Sequence, residues 1–150
     1  MSAMEKGSID IRRMKRSDID AILDLDRKIG EGSSLITYRD LVSTDPGGPL
    51  DLSFVAEAAG RIVGCVLARL AYAGVPFYEV CIVHAIVVDP DYQRHGIGSR
   101  LVNELVNHCR DEEIHKIRAL VDQSNAELRH FIENLGFHRS NIINYDITLG

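Results

Sequence analysis

The sequence predicts a mixed α/β domain, with apolar strands forming the core and helices covering a mixed sheet. Three observations lead there. The run Val80-Cys81-Ile82-Val83-His84-Ala85-Ile86-Val87-Val88 is apolar on both parities, as in a strand covered on both faces, and Asp89-Pro90 stops it because proline cannot continue a ladder. A glycine loop follows, Gln93-Arg94-His95-Gly96-Ile97-Gly98, and then Leu101, Val102, Leu105 and Val106 recur at helical spacing with polar residues between them. Upstream, apolar runs at 54–58 and 62–70 flank Ala59-Gly60-Arg61, a hairpin signal.

Taken in order, residues 1–7 read as disordered, and Ile9, Ile11 and Met14 outline a first strand. Ser17-Asp18-Ile19-Asp20 resembles a capping box, after which Ile19, Ile22, Leu23 and Ile29 trace a helix ending at Gly30. The stretch 31–49 holds a second short helix at 37–42 between loops rich in Gly, Ser and Pro, a segment suited to a mobile lid. Gly64 inside the second hairpin strand marks a bulge or a close backbone approach. Ala73-Gly74-Val75-Pro76 turns the chain into the central strand. Beyond the loop helix, 116–121 reads as a strand, and Ser124-Asn125-Ala126-Glu127 as a capping box opening a helix through Leu128, Phe131, Ile132 and Leu135 to Gly136. Strands at 137–139 and 143–149 complete the sheet. At 150 residues and 45% hydrophobic, 1–150 is one domain with one core.

Gly96 and Gly98 sit where a loop becomes a helix N-terminus. The first amides of a helix lack internal partners and carry partial positive charge, so they bind anions, and glycines let backbone approach a phosphate closely. Arg94 adds a formal charge. Glycine spacing alone fits an ordinary strand-to-helix turn equally well. Leu101 stands where a dinucleotide fingerprint has its third glycine, and no Gly-Lys-Ser/Thr marks a triphosphate loop.

Val88-Asp89-Pro90-Asp91-Tyr92-Gln93-Arg94-His95-Gly96-Ile97-Gly98 resembles the acetyl-CoA loop of the GCN5-related N-acetyltransferases, the GNAT family. The resemblance covers nearly the whole chain and implies the GNAT fold, β-α-α-β-β-β-α-β-α-β-β with a splayed central sheet. It implies acetyl-CoA as cosubstrate, no metal, and acetyl transfer to a primary amine by direct attack in a ternary complex. Gln93, Arg94, His95, Gly96, Ile97, Gly98 and Ser99 would then cradle the CoA phosphates, and the amides of Ile86, Val87 and Val88 would bind pantetheine and polarise the thioester carbonyl. Asn125, followed by Leu135-Gly136-Phe137, is similar to the family's Asn-to-Gly-Phe segment, in which the Asn contacts the pantetheine arm; Phe131 would join it. For Asn125 a plain helix-start role stands equally beside that one. The stretch 31–49 would border the acceptor site, where loop-rich sequence sets substrate choice.

Acetyl transfer needs a neutral amine, so a base or a water chain must take its proton. His84 is the polar side chain within the apolar run, and in isolation it reads as a hydrogen-bonded structural histidine. Relatives similar to spermidine and arylalkylamine acetyltransferases place a Glu or His base there, which favours a catalytic role. Glu79 is the next candidate, its ordinary reading being a solvated strand-end carboxylate. The family's usual acid, a Tyr, is replaced by Ile132. Tyr145 or Tyr78 could stand in, or CoA could leave as the thiolate, its thiol pKa being near 8.5 on the cysteine reference. That departure keeps an alternative, a non-catalytic acyl-CoA-binding sensor or accessory domain.

A net charge of −5, with no basic run beyond Arg12-Arg13-Met14-Lys15-Arg16, argues against a nucleic-acid partner and favours cationic acceptors. The three cysteines are odd in number and lack a Cys-x-x-Cys pair, which fits reduced core thiols in a cytoplasmic protein. No hydrophobic signal region is present, and no apolar stretch reaches the roughly 18 residues a membrane span needs. A homodimer is compatible with this reading, and no residue selects the acceptor amine.

Overall fold

The hairpin strands alternate their side chains between two faces, and each face finds a helix. In the computed structural model, which describes residues 8–30, 52–73 and 78–150, five strands lie side by side. Their spatial order follows the chain: β1 (Ile9–Arg13), β2 (Phe54–Ala58), β3 (Arg61–Ala73), β4 (Tyr78–Val88) and β5 (Ile117–Ala119). The first three pairings are antiparallel and β4–β5 is parallel. Helix α1 (Ile19–Gly30) packs Ile19, Ile22 and Leu25 on Val55, Cys65, Leu67 and Val87. Helix α2 (Ile97–Asp111) packs Ile97, Leu101, Leu105 and Cys109 on the other face, against Phe54, Ala56, Val66, Cys81 and Val83. The disorder expected at 1–7, the helix expected at 37–42 and the turn at 74–76 lie outside the described residues.

A one-turn 3₁₀ segment, Arg16–Asp18, leads into α1, and its start differs from the expected one. Asp18, not Asp20, reaches back, its carboxylate accepting the Lys15 amide at 2.7 Å. The Arg12 guanidinium on β1 donates to both Asp18 oxygens at 2.9 Å and to Glu57 Oε1 on β2 at 2.9 Å, tying the helix entry to the sheet edge. Burial by itself would raise the Asp18 pKa, but the hydrogen bonds from Arg12 and the Lys15 amide outweigh it and hold the carboxyl below its usual range. The hydrogen bonds to Asp18 and then Glu57 in turn raise the Arg12 pKa.

Three irregularities shape the sheet. Ala59 and Gly60 adopt φ of 51° and 77° between the paired Ala58 and Arg61, the two left-handed residues a tight hairpin of right-twisted strands requires. Next, the β2–β3 register shifts after Ala56, and Gly64 sits beside the bulge. A Cβ at Gly64 would stand 3.1 Å from Val87 O and 3.1 Å from Ile97 Cγ2, so both readings of this glycine hold. The third is in β4: Leu67 faces Ala85 and Ala68 faces Val83, which leaves His84 as the extra residue of a bulge.

The chain divides into two compact units, Met1–Leu120 and Val121–Gly150. Within the second, Asn125 rather than Ser124 caps helix α3 (Ala126–Asn134), its side-chain oxygen accepting the Leu128 amide at 3.1 Å. Ser124 instead donates its hydroxyl to Asp122. At the other end Gly136 has φ of 101°, the Gly136 amide bonds Glu133 O and the Phe137 amide bonds Ile132 O, which is the Schellman arrangement. The strands expected at 137–139 and 143–149 are not seen: among the described residues no ladder includes residues 137–150. Ile143, Tyr145, Ile147 and Leu149 do alternate, but alternation makes a strand only where a partner supplies the ladder.

Gly64→Ala should lower stability by about 1–3 kcal/mol, the usual cost of overpacking a filled site, which thermal melts would read. For Asp18 the lowered folded-state pKa fixes the sign: its contribution is present above the unfolded-state value and is lost as pH falls through the folded one. Urea titrations of wild type and Asp18→Asn should therefore differ most near pH 7 and converge at low pH.

Candidate functional site

Strand β4 outruns its parallel neighbour. Its pairing with β5 covers Cys81–Ile117, Ile82–Arg118 and Val83–Ala119, and among the described residues that ladder ends there, while β3 stays paired to Val88. The Asp89 amide donates to Val63 O at 2.8 Å, which sets the phase of the antiparallel pairing. Hydrogen-bonded and non-bonded pairs alternate along such a ladder, so the Val87 amide turns toward Cys65 on β3, and the amides of Ile86 and Val88 turn to the opposite edge. Two donors at strand spacing thus line the side where β5 has stopped. The His84 bulge falls immediately after the last β4–β5 pair, and its ring is exposed rather than buried as the apolar run suggested. Bulges are over-represented next to functional sites, and this one falls where the β4–β5 ladder ends.

The chain then turns hard. Asp89 is buried, and its carboxylate accepts the Asp91 amide at 2.9 Å to cap the 3₁₀ turn Pro90–Tyr92. From α1, Lys28 Nζ lies 3.0 Å from both Asp89 oxygens and 3.0 Å from Asp91 Oδ2. Tyr92 is buried in the α2-side core, and the loop leaves it with Arg94 at φ 69° and Gly96 at φ 72°. His95 braces this shape: its Nδ1 sits 3.0 Å from Tyr92 O and 2.9 Å from Gln93 O, and since carbonyls only accept, Nδ1 carries the proton. The first helical bond of α2 runs from the Arg100 amide to Gly96 O, so the amides of Ile97, Gly98 and Ser99 precede the ladder and have no acceptor within the helix. Among the described residues, its chain neighbours aside, no atom lies within 4 Å of where a Cβ on Gly96 would stand. Open space, free-ended amides and the dipole of α2 fit a phosphate group.

The structure therefore brings together Ile86, Val88 and the loop from Gln93 to Ser99 at the C-terminal end of β4. It sets Glu79 apart, since five residues of strand at roughly 3.3 Å each separate it from His84 by about 16 Å. Val87 differs from its neighbours, its amide being directed into the β3 ladder. Asn125 and Phe131 belong to the second unit, where Asn125 caps α3 and Phe131 is half-buried. Tyr145 is exposed in that unit, and the Tyr78 side chain lies outside the described residues. Sequence reasoning missed Lys28 and its buried partner Asp89; a lysine in the last turn of a helix carries no mark of a carboxylate 61 positions away.

All three cysteines are buried. Burial, then the nearby Asp26 carboxylate, pushes the Cys65 thiol up to about 12, and the Cys81 thiol, hydrogen-bonded to Cys109, is raised as well. A buried thiol with a raised pKa is not a nucleophile at neutral pH. A separate cleft of about 460 Å³ opens between α1 and the β2–β3 turn, lined by Arg12, Asp18, Lys28, Glu57, Arg61 and Asp89 among others, and does not include the glycine loop. No described helix is long and apolar enough to cross a membrane.

Comparison with known proteins bears on this arrangement. A family model, the acetyltransferase (GNAT) family, matches residues 19–137. The chain is 26% identical over 144 residues to an uncharacterised N-acetyltransferase of Methanocaldococcus jannaschii, covering 89% of this chain and 62% of that protein. It is 29% identical over 100 residues to a mycothiol acetyltransferase of Propionibacterium freudenreichii, covering 66% of this chain and 31% of that protein. The chain thus spans less than two thirds of the length of either relative. Among solved structures, an aminoglycoside N-acetyltransferase in complex with CoA superposes with a TM-score of 0.73 at 16% identity, covering 93% of this chain and 94% of that one. A ribosomal-protein-alanine N-acetyltransferase of Brucella melitensis gives a TM-score of 0.72 at 17% identity, over 95% and 100% of the two chains. At such identity the two superpositions speak for the fold, while the family model matches sequence across both compact units, from α1 through the glycine loop to Phe137. The chain belongs to the acetyltransferase (GNAT) family.

Proposed function

We propose that this protein transfers the acetyl group of acetyl-CoA to a primary amine by direct attack in a ternary complex. The observation that carries the reading is the juxtaposition of an unladdered strand edge, with the Ile86 and Val88 amides directed to it, and a glycine loop opening a helix N-terminus. Pantetheine would lie along the first as an extra strand, and the phosphates would meet the amides of Ile97, Gly98 and Ser99 with Arg94 beside them. Acetyl-CoA itself supplies an activated thioester, and the chain supplies position, donors and a proton acceptor.

In the transfer, the neutral amine nitrogen bonds to the thioester carbonyl carbon, and the carbonyl oxygen gains negative charge. A strand amide aimed at that oxygen is the kind of fixed donor that lowers such a barrier. Collapse of the intermediate breaks the C–S bond and releases CoA as the thiolate. The nitrogen's proton passes to His84, directly or through a water. A neutral imidazole can accept it, and the position of His84 as the bulge residue immediately after the last β4–β5 pair supports this reading. All three thiols of this chain are buried, those of Cys65 and Cys81 with raised pKa and that of Cys109 lowered by its hydrogen bond with Cys81, and their burial supports direct attack over an acyl-enzyme. The described neighbours act on an aminoglycoside and on a ribosomal-protein alanine, both amine acceptors, and the acidic balance of this chain suits a cationic one. A screen of amines that follows free-thiol release tests the reaction; CoA binding with no amine-dependent thiol release would move the assignment to a non-catalytic acyl-CoA sensor.

Gly96→Val puts a branched side chain at φ 72° and should weaken CoA binding more than tenfold by calorimetry, as should Gly98→Val, while Gln93→Ala costs less. His84→Ala should lower kcat by roughly 10²- to 10⁴-fold with the acetyl-CoA KM little changed, and the acidic limb of the wild-type pH–rate profile should vanish or move. An unchanged acidic limb would remove His84 from the proton path.

A further inference from the structure

Lys28 sits in the last turn of α1, on the face of the sheet opposite α2, yet its ammonium is spent on the turn that feeds the glycine loop. An exposed helix lysine is ordinarily a solvated surface charge. Here one partner is the Asp89 carboxylate, whose side chain is 2% exposed while that of Lys28 is 45% exposed. Asp89 is held from three directions: its amide by Val63 O on β3, one oxygen by the Asp91 amide, and both oxygens by Lys28. The Arg61 guanidinium stands farther off, at 3.8 Å. A buried carboxylate deprived of its cation is costly, and the turn it caps would have to move.

The charge balance gives the contact a second consequence. Asp89 and Asp91 place two carboxylates directly ahead of the segment 93–99, where an anionic ligand is expected. Their field would oppose phosphate binding unless a cation offsets it, and Lys28 is within 3.0 Å of both. Hydrogen bonds to Asp89 and then Asp91 raise the Lys28 pKa, so the ammonium stays charged across the neutral range.

We propose that Lys28 is a positioning residue for acetyl-CoA: by clasping Asp89 and Asp91 it fixes the Pro90–Tyr92 turn and offsets the two carboxylates in front of the phosphate loop. Cofactor affinity then depends on a helix packed on the face of the sheet opposite α2. The inference rests on the reading that the loop binds CoA.

The test is the CoA dissociation constant by calorimetry for wild type, Lys28→Met, Lys28→Arg and the double variant Lys28→Met/Asp91→Asn, each with a thermal melt and a steady-state KM and kcat. Lys28→Met keeps the stem and loses the charge; it should weaken CoA roughly five- to twentyfold and raise the acetyl-CoA KM in step, with kcat at saturation changed less than about twofold. Lys28→Arg should restore affinity to within about threefold. Removing one carboxylate in the double variant should recover part of the loss, which a lysine serving stability alone would not show. Wild-type binding with an unchanged constant in Lys28→Met, or a weakened constant that neither Arg nor the Asp91 change relieves, overturns the role of Lys28 alone. Failure of wild type to bind CoA overturns the loop reading, and this inference with it.

Discussion

A backbone amide that leaves water needs an acceptor, and β4 stays extended past the last residue at which β5 provides one. That mismatch of strand lengths organises everything near the site. On the β3 side the ladder continues to Val88, so β4 cannot coil or fray; on the β5 side it stops at Val83. The donors of Ile86 and Val88 are consequently fixed in direction by pairings made on the other edge. A ligand that can present acceptors at strand spacing meets donors already in place, with little reorganisation left to oppose binding. The His84 bulge, at the same boundary, adds local twist and leaves exposed a residue that the apolar run marked as buried.

The position of the glycine loop follows from contacts on both sides of the sheet. Gly64 lets the first residue of α2, Ile97, approach β3 so closely that a Cβ at that position would stand 3.1 Å from its Cγ2 and crowd it. Asp89 ends β4 by turning its carboxylate onto its own turn, and Lys28 reaches across from α1 to hold it. Helix α2 is thus seated by packing, and the loop before it by charge. Arg94 keeps a left-handed backbone conformation that costs a non-glycine residue of the order of 1 kcal/mol, a strain tolerated where the surrounding contacts fix the loop.

Local pattern revealed much of this in advance. Strands β2, β3 and β4 and helices α1 and α2 were legible because each has a strong period and a punctuating Gly or Pro, and the glycine loop because its glycines fall between two such elements. The exposure of His84 was hidden, since a bulge depends on the partner strand's register and nothing in Val83-His84-Ala85 announces it. Lys28 was hidden for a related reason: its partners are distant in sequence and brought near by packing. The C-terminal segment misled in the opposite direction. Ile143, Tyr145, Ile147 and Leu149 have the period of a strand, but period describes faces, and only a neighbour makes a ladder. At Leu135-Gly136-Phe137 a local helix stop accounts for the glycine and the aromatic without reference to a ligand.

The account stands on the claim that β4 offers a preformed, directional edge. Amide hydrogen exchange at single-residue resolution, with and without CoA, measures that claim most directly. Val87 should be protected in both states, whereas Ile86 and Val88 should exchange faster in the free protein and gain protection with CoA, together with Ile97, Gly98 and Ser99. Equal protection of Ile86, Val87 and Val88 in the free protein, or no gain at Ile86 and Val88 when CoA is bound, would contradict it.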